Sequence, residues 1–478
     1  MIKELRLSKA SIFGIIISNL VCLIFFTILP DSVSDLHAIN YNIDLLYLCI
    51  SLNVMFFYMG QTKDDIFSPL PVFSFIYLAM FFVTPIYDIL VSETSWWGFD
   101  FFDQGIKAST IALFGYLVFV FLYSFNGLKK KAPLPQNQIN KNYKVNNNMT
   151  IFIVMGYIIS FLINFYFIQK TSGFNLSYIL TLGMVGKTNL QSINSATNLD
   201  SLSMIIYFLP SFTLLYIEYG KSRILKILFF VVMSMLQVAK GFRFVIFQII
   251  LMFTAYYFIR NKKKFNLKII VPIVVVSLIP IVLMTLFRQD VRSGNGINLD
   301  GISMSTIQKA LDEAFWDNLR IYKNFYAMLE VVPYKTSYLF GRQMIVYTLI
   351  MMIPRYFWPG KPYNPGMLPL ELSMGRYVVE AGQAYPNIAE YYYEFGTLGV
   401  LLVMGFLGWF YSYYQYKNRF YSSSPIDIMK YCTVLGTILQ IIIRGYTPSN
   451  FWLVIFCLIP YWLVEFIFKE RSRYEEVS

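Results

Sequence analysis

Residues 11–30 read SIFGIIISNLVCLIFFTILP, an uncharged apolar run of about the 20 residues that a helix needs to cross a hydrocarbon layer. No small-residue cleavage site closes it, so it predicts a retained membrane helix and not a removable leader. Comparable runs recur near 44–60, 70–91, 107–127, 149–169, 201–219, 222–240, 243–260, 267–287, 395–415, 427–443 and 449–468. Together they make about twelve expected spans. The whole chain agrees: 57% of its 478 residues are hydrophobic and 14% are charged, which excludes an ordinary soluble domain. The expected fold is an all-α polytopic membrane protein. Cys22, Cys49, Cys432 and Cys457 all sit inside apolar runs. They read as small hydrophobes, so neither a disulfide framework nor a metal site is expected.

The net charge of +12 does not point to nucleic acid, because its distribution follows the loops. Lys and Arg are retained on the cytoplasmic side of a membrane. The N-terminal Lys3, Arg6 and Lys9, then LKKKAPLPQNQINKNYK, GKSRILK, RNKKKFNLK, YKNRFYSSS and KERSR, all fall on one side of a twelve-helix arrangement. The alternate loops DSVSDLHAINYNID and SETSWWGFDFFDQG are acidic and nearly free of cations. Both termini are therefore expected in the cytoplasm. The chain divides into residues 1–287 with nine helices, an extracytoplasmic loop over 288–394, and 395–478 with three helices and a cytoplasmic tail.

So long a loop between spans is where function is expected. In SMSTIQKALDEAFWDNLRIYKNFYAMLEVVP, Ser305 and Gln308 have capping-box spacing, and Ile307, Leu311, Phe315 and Leu319 form an apolar stripe ending at Pro333. This predicts an amphipathic helix. RQMIVYTLIMMIPR, between Arg342 and Arg355, is too short to span, which predicts a re-entrant or interfacial helix. It runs into IPRYFWPGKPYNPG (353–366), where Pro354 would end the helix. Trp358 and Phe357 would then anchor the segment at the headgroups, with Arg355 and Lys361 held outward.

The outward segments carry Arg243, Arg288, Arg292, Arg320, Arg342, Arg355, Arg376 and Arg444, whereas Lys dominates the cytoplasmic loops. A guanidinium binds two phosphate oxygens at once and loses its water more readily than an ammonium does. Arg243, Arg288, Arg292 and Arg444 lie near expected helix ends and are candidates to converge on a phosphate, although single interfacial arginines also snorkel to headgroups. No charged residue falls at the middle of an expected span, since Asp88, Lys226, Lys430 and Glu465 lie near ends. That argues against an ion-coupled transporter.

Four pieces of sequence then resemble the Wzy-type polymerases of O-antigen and capsular repeat units. They are KGFRFVI with Lys240, Gly241 and Arg243, FRQDVR with Arg288 and Arg292, IPRYFWPGKP, and AEYYYEFGTLGV opening the tenth span. The resemblance implies a GT-C-like glycosyltransferase needing no cofactor or metal. Its substrates would be undecaprenyl-pyrophosphate-linked oligosaccharides at the outer face of a bacterial inner membrane, with a polysaccharide chain-length regulator as a further partner. It implies that Arg243, Arg288 and Arg292 hold the pyrophosphate leaving group, joined by Lys240, Arg355, Lys361 and Arg444.

An acceptor hydroxyl would need a base. Glu390 is preferred to Glu380 and Glu394, although carboxylates near a helix start also serve as caps. His37, the only histidine, is expected in a short outer loop and carries little weight. Tyr391, Tyr392, Tyr393 and Trp358 are candidates to stack on sugars, interfacial anchoring being the alternative. An O-antigen ligase is the nearest rival, but no histidine lies between 288 and 394. A polysaccharide-lipid flippase would be expected to have short outer loops and a polar cavity.

Overall fold

The computed structural model describes residues 9–27, 35–59, 66–90, 95–100, 104–129, 147–172, 200–239, 243–261, 303–362, 364–376, 384–420 and 424–468, with a few positions between 268 and 286. Its first helices are α1 (Lys9–Thr27), α2 (Asp35–Met59) and α3, which runs from Pro69–Leu78 through a π-helical Ala79–Val83 to Thr84–Leu90. They are followed by α4 (Gly105–Lys129), α5 (Asn147–Ser172), α6 (a 3₁₀ turn Asp200–Tyr207 and then Phe208–Tyr219), α7 (Arg223–Ala239) and α8 (Arg243–Arg260). Met304–Leu319 (α9), Lys323–Val331 (α10), Arg342–Tyr347 continued by Thr348–Ile350 (α11), and Leu368–Met374 (α12) are shorter. The chain closes with α13 (Asn387–Gln415), α14 (Pro425–Ile443) and α15 (Thr447–Phe468).

Helices thus stand at eleven of the twelve expected positions, and the ninth, 267–287, lies almost wholly outside the described residues. Among the described residues, six helices are long and apolar enough to cross a membrane, and the apolar parts of α1, α2, α6 and α8 are shorter. The chain is a helical, multi-pass membrane protein. Its outer surface is apolar where lipid would lie: Phe13, Phe75, Leu162, Ile224, Leu402 and Phe466 are more than half exposed.

α4 and α13 pack closely enough that a Cβ on Gly408 would stand 2.2 Å from the Phe119 carbonyl oxygen. Only glycine permits that backbone approach. α8 and α14 run antiparallel: a Cβ on Gly436 would meet the Gln248 carbonyl oxygen at 2.8 Å, and one turn away Thr433 Oγ1 donates to Met252 Sδ at 3.2 Å. Arg243 and Arg444 therefore stand at the same end of the bundle. At the other end Lys430, 5% exposed, pairs with Asp427 at 3.2 Å and with Glu465.

The short helices gather at the end where α4 and α13 begin. Trp96, in a hairpin of Ser95–Trp96 (β1) and Phe99–Asp100 (β2), donates through Nε1 to Asn324 Oδ1 of α10 at 2.6 Å. Gln104 donates to Glu330 at 3.3 Å. The expected amphipathic helix is α9 with α10, joined by a 3₁₀ turn at Arg320–Tyr322 and stopping before Pro333.

Three expectations are corrected. The cap of α9 is a reciprocal pair, Ser303 N–H to Thr306 Oγ1 and Thr306 N–H to Ser303 Oγ, each 3.2 Å, two residues earlier than Ser305. His37 belongs to the first turn of α2 and not to a loop, because the helix starts at Asp35. Finally, α11 ends at Ile350, so a turn and not Pro354 stops it.

α11 is inverted with respect to a water-soluble helix. Gln343 and Thr348 point inward, 0% and 6% exposed, whereas Ile345, Val346 and Leu349 are 57%, 52% and 69% exposed. Trp452 Nε1 of α15 donates to the Thr348 carbonyl at 2.8 Å, five residues along an apolar helix. α11 thus packs beside the first turns of α15 with its apolar side turned away from the protein.

Candidate functional site

Three segments meet at this end: the start of α11, the stretch 384–396, and the turn 444–447 between α14 and α15. The turn lies against the second segment, since Gly445 N–H donates to the Tyr385 carbonyl at 2.8 Å and a Cβ on Gly445 would stand 2.4 Å from the Pro386 carbonyl oxygen.

Glu390 sits where all three meet and is 1% exposed. Its carboxylate accepts the Thr447 N–H at 2.9 Å, the Thr447 hydroxyl at 2.8 Å and Gln343 Nε2 at 2.6 Å. Thr447 is the first residue of α15, so the carboxylate satisfies a donor that the helix start leaves over, and its charge opposes the positive end of the helix dipole. Gln343 Nε2 also reaches the Tyr385 hydroxyl at 3.0 Å. Burial first, and the charge of Glu390 second, push the Tyr385 phenol well above its ordinary range, so it stays protonated.

Glu394, one turn on, does the same for α11. Its oxygens accept the backbone N–H groups of Gly341 at 2.6 Å, Gln343 at 3.0 Å and Met344 at 2.7 Å. Gly341, with φ +87°, makes the left-handed turn that aims those donors inward.

Immediately after Glu394 the helix breaks. Phe395 and Gly396 leave helical geometry, Gly396 at φ 65° and ψ −156°, a region that essentially only glycine enters. The AEYYYEFGTLGV stretch is thus two helical pieces with a hinge of irregular backbone. A membrane protein tolerates irregular backbone only where protein or a polar cavity surrounds it.

The Pro-rich stretch 353–366 folds over this cluster. Lys361 is 7% exposed, and its ammonium donates to the carbonyls of Met351 at 2.7 Å and Ile353 at 3.0 Å and stands 5.8 Å from the Tyr347 ring centre. This corrects the expectation that Lys361 is held outward. The Arg355 guanidinium donates to the carbonyls of Lys361 at 2.7 Å and Pro362 at 3.3 Å. Tyr356 and Phe357 are 70% and 74% exposed and Trp358 39%. Gly366 backs onto Gln343 so tightly that a Cβ would stand 2.1 Å from its Oε1.

The other candidate residues are distributed as follows. Arg444 caps the C-terminal end of α14, with its backbone N–H on Gln440 and its carbonyl accepting Asn450 Nδ2 at 2.7 Å. Arg243 is the first residue of α8, and its side chain lies outside what is described. Lys240, Arg288, Arg292 and Glu380 lie outside the described residues. Tyr391, Tyr392 and Tyr393 are 3%, 2% and 1% exposed, so all three rings pack inward. Among the described residues no cluster of three or more His, Cys, Asp or Glu side chains has the geometry to hold a metal ion.

Sequence reasoning missed Gln343, Thr447 and Tyr385. Gln343 is hidden by an apolar neighbourhood and Thr447 looks like an ordinary helix start. The one local signal was a polar amide inside RQMIVYTLIMMI.

A family model described as "O-antigen polysaccharide polymerase Wzy" matches residues 12–471 of this chain. No curated protein and no solved structure matches it.

Proposed function

The chain belongs to the O-antigen polysaccharide polymerase Wzy family, and from that premise we propose that it joins undecaprenyl-pyrophosphate-linked oligosaccharide units at the outer face of a bacterial inner membrane. The match over nearly the whole chain carries this reading. In the proposed reaction the growing chain leaves its lipid pyrophosphate and is transferred to a hydroxyl at the non-reducing end of a second lipid-linked unit, without metal. Both termini would be cytoplasmic, so the end that gathers α9 to α12 would face outward.

Negative charge develops on the leaving pyrophosphate, and fixed cations at the membrane surface would stabilise it. Arg288 and Arg292 are proposed as the catalytic cations, with Arg243, Lys240 and Arg444 as further phosphate ligands. The common end of α8 and α14 supports including Arg243 and Arg444. Arg355 and Lys361 are proposed to act through the loop they brace, since both spend donors on its carbonyls. Tyr391 would shape the site from behind, being buried.

Glu390 is proposed as the carboxylate of the site. The experiment is to express Arg243→Ala, Arg288→Ala, Arg292→Ala, Arg444→Ala and Glu390→Gln in a strain lacking the gene, and to resolve its surface polysaccharide on gels. The arginine variants are expected to leave one capped unit and no ladder at normal protein level. Long ladders from most of them would defeat the assignment. A Glu390→Gln protein that keeps its full rate would remove Glu390 as a base and leave it a positioning residue. A single-unit band distinguishes this reaction from that of a ligase, whose loss would leave no unit on the lipid core.

A further inference from the structure

Lys107 lies in the first turn of α4, at the end of the bundle that carries the short helices. It is half-buried, and among the described residues no carboxylate stands within ion-pair distance of it. What faces it is aromatic: its ammonium stands 5.2 Å from the centre of the Tyr392 ring. The Tyr392 hydroxyl lies 3.5 Å from that of Tyr338.

A cation–π contact returns only part of the hydration that a half-buried ammonium gives up, and a charge so placed is best satisfied by an opposite one. The Tyr338 hydroxyl donates to that of Tyr392, which leaves the Tyr392 proton free for another acceptor. One ammonium and one phenol proton thus form a donor pair with no anion among the described residues to serve.

The set is also held rigidly. Tyr338 lies against the hinge of α13, where a Cβ on Gly396 would stand 3.2 Å from its ring and hydroxyl. The next two residues are pinned to the same helix, Leu339 N–H on the Tyr393 carbonyl at 3.0 Å and Phe340 N–H on the Glu394 carbonyl at 2.9 Å. Donors fixed before a ligand arrives do not have to be ordered by it.

We propose that Lys107, Tyr338 and Tyr392 form a binding subsite for phosphoryl oxygens. The choice of a lipid-linked pyrophosphate as the source of those oxygens rests on the polymerase reading above. The subsite stands on the α4–α13 side of the site, beside the hinge, whereas Arg243 and Arg444 belong to the α8–α14 side. Two phosphate subsites on different helix pairs are what a reaction between two lipid-linked molecules requires.

The test uses the full chain in lipid nanodiscs and the acylation of its lysines by an amine-reactive ester, read residue by residue by mass spectrometry. It is run with no addition, with inorganic pyrophosphate, and with a short-chain prenyl pyrophosphate. Lys107 is expected to be protected several-fold, while Lys335, whose side chain is 57% exposed, is not. Protection by inorganic pyrophosphate would show that the phosphoryl group suffices, and protection by the prenyl compound alone that the lipid carrier is needed. Either supports the subsite.

Tyr338→Phe removes the hydroxyl whose bond orients that of Tyr392 and is expected to weaken the protection, with the helical content unchanged. Unchanged acylation of Lys107 with both compounds, or equal protection of Lys335, overturns the proposal. Because this readout needs no polymer, a protein that makes ladders but shows no protection loses only the subsite. One that shows protection but makes no ladder loses only the reaction.

Discussion

Gln343 Nε2 donates to the Glu390 carboxylate over 2.6 Å, and this bond ties a short helix of the loop to the helix that leads into the next span. Thr447, from a third segment, completes the carboxylate's set of partners. Replacing Glu390 by Gln puts an amide N–H₂ where only acceptors fit, so a donor must face either Thr447 or Gln343. Leaving one buried donor unsatisfied costs about 1–3 kcal/mol. The expected outcome is a lower unfolding midpoint in detergent for Glu390→Gln and a lower one still for Glu390→Ala. Equal midpoints for wild type and Glu390→Ala would mean that the carboxylate holds nothing together.

The hinge after Glu394 makes a second prediction. Gly396 at φ 65° and ψ −156° has Tyr338 directly over it, so Gly396→Ala meets backbone strain together with a tight contact on the Tyr338 ring. Strain of this kind costs about 1–3 kcal/mol. Hydrogen exchange should quicken in residues 338–345 and 393–399 and stay slow in α14. Slow exchange throughout would show that the hinge tolerates a side chain.

Leu349 is 69% exposed and Tyr334 79%, but they should meet different solvents. The four native cysteines are buried, which leaves a low background for added thiols. In membranes, Tyr334→Cys is expected to react readily with a charged maleimide, and Leu349→Cys to resist it until detergent is added. Comparable reaction at both positions would put α11 in water and leave its apolar face without a reason.

At the opposite end of the bundle, Lys430 stands between Asp427 and Glu465, with side-chain exposures of 6%, 3% and 19% respectively. Lys430→Met takes from the two carboxylates the ammonium that both of them pair with. Removing one partner of such a group costs about 3–5 kcal/mol, whereas replacing all of it by apolar residues is often neutral. Thermal unfolding should therefore show a large drop for Lys430→Met and recovery in Asp427→Leu/Lys430→Met/Glu465→Leu. A single variant as stable as wild type would make the pairing incidental.

Much of the fold was legible along the chain. Apolar runs such as 395–415 and 427–443 predicted helices where α13 and α14 stand, because partition into acyl chains depends on the composition of one continuous segment. The short helix starting at Arg342 and the helical pair ending before Pro333 were legible for the same local reason. The N-cap at Ser303 was misplaced by two residues because STIQ matches the capping pattern as well as the true pair does.

The candidate site was legible only in part. Glu390 stood out as a carboxylate in an aromatic run, but Lys361 was expected to point outward when it closes its own loop on the carbonyls of Met351 and Ile353. Nothing local in PGKP tells a surface ammonium from a buried one.

The sequence by itself determined that this is a helical, multi-pass membrane protein, since hydropathy and length are properties of single segments. Only the tertiary structure decided that Gln343, Glu390 and Thr447 are partners, 47 and 57 residues apart along the chain. A buried polar group must find its partner wherever the packed chain brings one, and that pairing is not written in either segment alone.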